Sequence, residues 1–351
     1  MSMLFKDASV LVCVGTGGVG KTTVAAGLGA LAAEEGLKVL VLTVDPSRRL
    51  KTTLGLDDSG DVQQLKHPRF KGELHAAVLN SKKTFDEFVL RAAKHSDSAK
   101  KILKNRLYVQ LSTTLSGSQE FTALERLHQA VESKEYDLVI LDTPPAQHAM
   151  DFLRAPQKLS ALFQEKITRW FRDPKAQNKN FLIGVFQAGT KQVLKALEYL
   201  TGSEFMRELS DFFLNIQAWQ GQLEERTAEV HRLLVDPKTQ FLLICSYDRS
   251  KLIEAGKFAR EIRKSGYQLK ACILNRAFPE WMGTGDAFAQ DPAGKLAQSW
   301  AAYFQERRKN SKILVEMQNQ SVQIHELPEM KEDIRSLEGV LQIADQLRKP
   351  T

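Results

Sequence analysis

Residues Gly15-Thr16-Gly17-Gly18-Val19-Gly20-Lys21-Thr22-Thr23 constrain this chain more than any other stretch. They fit G-x-x-x-x-G-K-[ST], a loop that cradles phosphate between a strand and a helix. The apolar run Ser9-Val10-Leu11-Val12-Cys13-Val14 ahead of it predicts a buried strand. The Ala- and Leu-rich stretch from Val24 to Ala33 behind it predicts a helix starting near Lys21. Glycines free the backbone to curl, so that the N–H groups of Gly17, Gly18, Val19, Gly20, Lys21, Thr22 and Thr23 can turn toward one phosphate chain. The helix N-terminus adds its positive end. The Lys21 ammonium is placed for the β- and γ-phosphates, and the Thr22 hydroxyl for Mg²⁺. ATP with Mg²⁺ is therefore the expected ligand pair.

The same glycines, Gly15-x-Gly17-x-x-Gly20, also fit a dinucleotide fingerprint, with Asp45 roughly where a ribose-binding acid belongs. Lys21-Thr22 decides against that reading. A dinucleotide loop has no use for a lysine and a magnesium-binding hydroxyl at those positions.

The rest of the chain supplies an α/β rhythm. Lys38 to Val44 predicts a second buried strand, ending in Asp45-Pro46-Ser47-Arg48-Arg49, where proline turns the chain. Strand C-termini collect on the ligand side of a parallel sheet, so Asp45 is expected to face the crevice that holds Lys21. Gly72 to Leu79 predicts a further strand, followed by amphipathic helices through Phe85, Phe88 and Val89 and through Leu103, Leu107 and Leu111, then a helix from Glu120 to Val131. Tyr136 to Asp142 reads as an apolar strand ending in an acid, the usual carrier of a magnesium-linked carboxylate. The loop Thr143-Pro144-Pro145-Ala146-Gln147-His148 after it is placed to sense a γ-phosphate, with a local structural or hydrogen-bonding role for His148 preferred over a catalytic one.

From Asp151 to Pro237 the pattern is almost wholly helical. Residues 154–179 hold a basic, amphipathic segment around Leu159, Leu162, Phe163, Ile167, Trp170 and Phe171, and Phe181 to Phe186 reads as a candidate lining for a hydrophobic groove. Strands return at Gln240 to Cys245 and Gln268 to Leu274, with a helix from Leu252 to Lys264 between them. Asn275 and Arg276 then stand at a strand's ligand-side end, where an asparagine can read a base. A Gly/Pro-rich loop from Pro279 to Gly294, a helix from Lys295 to Arg308, apolar runs at Ile313-Leu314-Val315 and Val322-Gln323-Ile324, and a closing helix through Ile334, Leu337, Leu341 and Leu347 complete the chain. That last helix is expected to dock on the sheet.

Composition narrows the partners. A net charge of +7 over 351 residues is mild, and no Lys/Arg run, zinc knuckle or RNA-binding aromatic motif accompanies it, so nucleic acid is not an expected partner. No apolar run reaches the ~18 residues of a membrane span, and Met1 to Lys6 is too short for a signal peptide before the first strand. The expected location is cytoplasmic. Cys13, Cys245 and Cys272 each sit in a separate apolar run and read as buried thiols in a reducing compartment. No C-x-x-C occurs, so no structural zinc is expected.

Taken together, the loop from Gly15 to Thr23, Thr43-Val44-Asp45-Pro46 and Asp142 to His148 resemble the P-loop, switch I and switch II of ArsA-type ATPases, the family of the arsenite-pump ATPase and the ATPase that targets tail-anchored membrane proteins. Phe152-Leu153-Arg154-Ala155-Pro156 also fits the continuation after switch II. The resemblance implies a doubly wound, mostly parallel α/β sheet with an inserted α-helical subdomain. The expected core is 1–80, 116–155 and 236–351, and the expected helical subdomain is 81–115 and 156–235. It also implies a dimeric ATPase that closes around two nucleotides and handles a hydrophobic helix or a membrane-associated client. By position, Asp45 matches the residue that activates the attacking water and Asp142 the acid that orders Mg²⁺; Thr22, Asp45 and Asp142 are the residues expected at the metal, the two aspartates through water. Asn275 matches the adenine-reading asparagine, and the loop near Pro328 the opposite adenine wall.

Two positions depart from the family pattern. The family carries lysine at the second P-loop position, reaching across the dimer; here it is Thr16. Either Arg48 or Arg49 supplies the cation, or the chain pairs with a lysine-bearing paralogue, or hydrolysis is slow. Gln147 replaces the usual switch II glycine. Arsenite efflux is disfavoured, because a soft metalloid wants several convergent thiolates. The remaining alternatives are a MinD/ParA-like positioning ATPase, a small-acid kinase and a nucleotide-binding scaffold with little turnover.

Overall fold

The computed structural model describes residues 2–44, 51, 54–57, 60–92, 103, 105, 108, 118–143, 220–279, 292–310, 312–319 and 321–349. Asp45, Arg48, Arg49, Gln147, His148, the basic segment 154–179 and the apolar run 181–186 lie outside the described residues.

The strands are β1 (Val10–Gly15), β2 (Lys38–Thr43), β3 (Gln63–Leu65), β4 (Glu73–Val78), β5 (Leu138–Asp142), β6 (Thr239–Cys245), β7 (Gln268–Ala277) and β8 (Gln323–Pro328). They form one eight-stranded sheet in the order β3-β4-β2-β5-β1-β6-β7-β8. Every pair is parallel except β3–β4. Parallel strands carry helices on both faces, so they read as continuous apolar runs. Leu11, Cys13, Val39, Val41, Ile140, Leu242 and Ile244 share one core. The alternate residues Val10, Val12, Leu40, Leu42, Leu141, Phe241 and Leu243 are equally buried, which places them on the opposite face.

The helices are α1 (Lys21–Glu34), α2 (Ser81–Ala92), α3 (Ser118–Glu132), α4 (Gln220–Val235), α5 (Arg249–Lys264), α6 (Pro292–Asn310), α7 (Lys312–Asn319) and α8 (Leu337–Arg348). α1 is buried along almost its whole length, so it has no solvent stripe and its sequence shows no amphipathic period. It lies between the sheet and α8. A Cβ at Gly27 would collide with Ile343 of α8, so only glycine lets the two helices approach this closely. The closing helix thus docks mainly on α1 and also on the sheet through its edge strand β8, and Ile334 lies ahead of its Ser336 N-cap.

Other boundaries shift for local reasons. α6 starts at Pro292, inside the stretch expected as loop, because proline suits a first helical turn whose N–H has no intrahelical partner. The run Ile313-Leu314-Val315 is helical, within α7. α5 begins earlier than its apolar pattern suggests, with the Asp248 carboxylate accepting from the N–H groups of Ser250 and Lys251. β3 has no counterpart in the sequence reading: three residues, two of them glutamine, carry no strand signal. β7 runs past Leu274 to Ala277, so Asn275 and Arg276 belong to the strand.

The chain divides into two compact units, one of Met1–Asn80, Arg126–Leu153 and Arg232–Thr351, the other of Ser81–Glu125 and Arg154–His231. The first contains the sheet. In the second, Phe85 packs near Phe88 and Tyr108. The buried Glu125 carboxylate accepts from Arg226 at 3.0 Å, a pairing that offsets the cost of burying the charge.

Candidate nucleotide site

The site forms where the sheet order turns back on itself. β1 has β5 on one side and β6 on the other. Loops leaving the C-terminal ends of such strands bound the ligand crevice of an open α/β sheet. The loop from Gly15 to Gly20 leaves β1 there and runs straight into α1.

Steric demands explain its glycines. Gly15 lies against the Ile244 carbonyl of β6, too close for any Cβ. Gly20 is the N-cap of α1, with φ 86° and ψ 26°, a left-handed conformation that disfavours other residues. It carries no side chain, so no cap of its own competes with a ligand for the first N–H groups of α1. Val19 is 3% exposed and belongs to the core, while Gly17 and Gly18 are exposed. The loop is thus tethered at Gly15 and Val19 and open at its tip.

Lys21 is only 6% exposed, and its Nζ donates to the Thr16 carbonyl at 3.1 Å. The ammonium therefore folds back over its own loop, where the phosphates of a bound nucleotide would lie. Thr16 itself is buried, and its hydroxyl has no hydrogen-bond partner among the described residues.

Asp142, at the end of β5, is fully buried. Its Oδ2 accepts from the Thr22 hydroxyl at 2.6 Å and from the Thr43 hydroxyl at 2.7 Å. β2 and β5 pair so that Thr43 lies beside Asp142, and β1 pairs with β5 so that Cys13 does as well. The next residue, Thr143, donates through its hydroxyl to the Cys13 carbonyl at 2.8 Å, which fixes the exit of β5 against β1. Burial and the nearby Asp142 charge push the Cys13 thiol well above its ordinary range, with Lys21 acting weakly in the opposite sense. Cys13 stays a protonated, inert thiol beneath the loop.

The chemistry of this donor set suits a hard divalent cation. A hydroxyl and a carboxylate offer oxygens only, from rigid positions at a strand end and in a first helical turn. Of the residues expected at the metal, Thr22 and Asp142 therefore come together; Asp45 lies just beyond the described end of β2. Thr43 is a member that sequence reading missed. Its signals were its place in the stretch resembling switch I and a hydroxyl at the end of a mostly apolar strand.

On the far side of the loop, Asn275 is 9% exposed and donates through Nδ2 to the Val19 carbonyl at 2.8 Å. Arg276 beside it is exposed, with φ 55°. β7 and β8 pair Asn275 with Leu327 and Ala277 with Pro328, so Arg276 is an extra residue in the ladder. Pro328 ends β8 on the sheet edge, a place where the missing N–H costs nothing. It borders a cleft of about 540 Å³ that is also lined by Met330, Lys331, Gln342 and Gln346. Asn275 and Pro328 thus stand on neighbouring strand ends, one turned to the P-loop and one to this cleft.

Cys245 and Cys272 meet across β6 and β7, with sulfurs 3.5 Å apart in a buried setting. The sequence alone gave no sign of this pairing. Among the described residues, no three His, Cys, Asp or Glu side chains converge as a metal-binding group, and no helix is long and apolar enough to cross a membrane.

A P-loop at the central strand of an eight-stranded, mostly parallel sheet defines the fold as that of a P-loop nucleotide hydrolase. The chain belongs to the anion-transporting ATPase family, whose model matches residues 8–349, and it is an ATP hydrolase of that family. It is similar to ATPase ASNA1 homolog 2 of Paramecium tetraurelia, at 22% identity over 342 residues, covering 96% of this chain and 92% of that protein. It is also similar to the ATPase ASNA1 homolog of Babesia bovis, at 24% identity, covering 75% and 64% of the two chains. ATPase GET3 of Malassezia globosa is 21% identical, with 77% and 73% covered.

Proposed function

We propose that this chain is a Mg²⁺-dependent switch ATPase in which nucleotide state controls the helical region that handles a hydrophobic client. The observation that carries the reading is the convergence of Thr22, Thr43 and Asp142 beside the Lys21 loop. It joins the phosphate cradle to the ends of the two strands, β2 and β5, from which the nucleotide-sensing loops leave.

In this reading, the N–H groups from Gly17 to Thr23 hold the phosphates and Lys21 leaves the Thr16 carbonyl to reach them. Thr22 and Asp142 would hold Mg²⁺, Asp142 through water, and the ion would supply neutralising charge to the phosphates. Asp45 positions and deprotonates the attacking water. Loss of the γ-phosphate frees the segments after Thr43 and Asp142, and the helical region follows. Asn275, Arg276 and Pro328 bound the base. Asn275 gives one of its two amide N–H groups to Val19, and its carbonyl oxygen can accept from the amino group of adenine.

The working unit in this account is a cytoplasmic dimer, of two copies or with a lysine-bearing paralogue, and the client a hydrophobic helix or a membrane-associated protein. Thr16 favours slow or partner-dependent turnover, since a neutral side chain cannot stabilise developing negative charge.

The test is phosphate release from Mg-ATP, read beside oligomeric mass, for the wild type and Thr16→Lys. Homodimeric wild-type chains that hydrolyse ATP direct the search for the cation to Arg48 and Arg49. A slow wild type accelerated at least 10-fold by Thr16→Lys supports a partner-supplied lysine. A wild type and a Thr16→Lys variant that both bind no ATP and release no phosphate contradict the proposal.

A further inference from the structure

We propose that Asn275 is a positioning residue for the phosphate cradle, holding the P-loop backbone in shape from the neighbouring strand in addition to bounding the base. The inference rests on the nucleotide reading of the loop. It assigns to Asn275 a task on the phosphate side that base recognition does not include.

Three observations converge on it. The Asn275 Nδ2 donates to the Val19 carbonyl at 2.8 Å, a contact between residues 256 apart in sequence and buried from water. A Cβ on Gly20 would collide with that same amide, so the loop and the side chain are fitted to each other on both sides of the Val19–Gly20 peptide. The strand is also deformed where Asn275 sits. Arg276 occupies the left-handed region at φ 55° and is the extra residue of a bulge against β8. Few non-glycine residues adopt that region. Bulges of this kind re-aim a side chain.

The physical consequence follows from the planarity of the peptide. In a trans peptide the carbonyl and the N–H point in opposite directions, so fixing the Val19 carbonyl fixes the Gly20 N–H. That N–H lies at the entry to α1, among donors with no partner inside the helix. Val19 is further pinned by its buried side chain. A glycine-rich loop loses much conformational entropy when it orders around an anion. A clamp on the Val19–Gly20 peptide offsets part of that cost before ligand arrives, which is preorganisation. On this account, loss of the clamp weakens every ligand that uses the loop, whether or not it carries a base.

The experiment compares ATP with Mg-tripolyphosphate, which has the phosphates and lacks the base. Affinities are measured by calorimetry for the wild type and Asn275→Ala, well below each variant's Tm. Asn275→Leu, with similar volume and no donor, replaces the alanine variant if the cavity unfolds the chain. The expected result is about a tenfold loss for tripolyphosphate and at least as large a loss for ATP. Tripolyphosphate binding that is unchanged while ATP binding falls overturns the proposal and leaves Asn275 as a base reader only. A lower Tm with both affinities unchanged overturns it in favour of a purely structural role. A wild type that binds neither ligand overturns the nucleotide reading, and this inference with it.

Discussion

Lys21→Ala is expected to lower kcat/KM for ATP by about 10³-fold and to weaken ATP binding. The side chain is 6% exposed, and its Nζ donates to the Thr16 carbonyl of its own loop. What is lost is a fixed cation in a water-poor crevice, at the point where charge on the transferring phosphoryl group is greatest. Donors and cations so placed are each worth roughly 10²–10³ in rate, and an arginine finger up to ~10⁵. Steady-state phosphate release and equilibrium ATP binding separate the two effects. A Lys21→Ala enzyme with wild-type kcat/KM would falsify the placement of the phosphates.

Asp142→Asn is expected to raise the Mg²⁺ concentration needed for half-maximal turnover by about 10- to 100-fold, the usual range for losing a carboxylate that orders a metal's ligands. The substitution keeps the shape of a fully buried side chain. Its amide oxygen still accepts from the Thr22 and Thr43 hydroxyls, so the ends of α1, β2 and β5 stay joined. What disappears is the negative charge that favours a divalent cation over water at Thr22. A Mg²⁺ titration of ATP turnover makes the measurement. An unchanged Mg²⁺ requirement assigns Asp142 to structure alone.

Much of this architecture is legible because its signals are local. Nine contiguous residues from Gly15 to Thr23 specify the loop, and the apolar run before it and the Ala-rich run after it specify strand and helix. Buried parallel strands such as β1, β2 and β6 announce themselves as unbroken apolar runs, since both faces are covered. What stays hidden depends on distant residues meeting. Thr22 and Thr43 reach Asp142 across 120 and 99 residues, and the switch I resemblance around Thr43 does not tell that its hydroxyl bonds Asp142. The Cys245–Cys272 approach depends on the register of β6 against β7. Short elements fail for a different reason. Ile313-Leu314-Val315 is too brief to show a period of 2 or 3.6, so strand and helix look alike until α7 packs. Arg276 gives no sign in its residue type of the left-handed turn that aims Asn275.

The account stands most directly on where ATP binds. Calorimetric titration of the wild type and Lys21→Ala with ATP in the presence of Mg²⁺ tests it in one measurement. The prediction is saturable binding of one ATP per wild-type chain, weakened at least tenfold in Lys21→Ala. Absence of saturable binding by the wild type, or equal affinity in both chains, would contradict the claim that this loop is the nucleotide site.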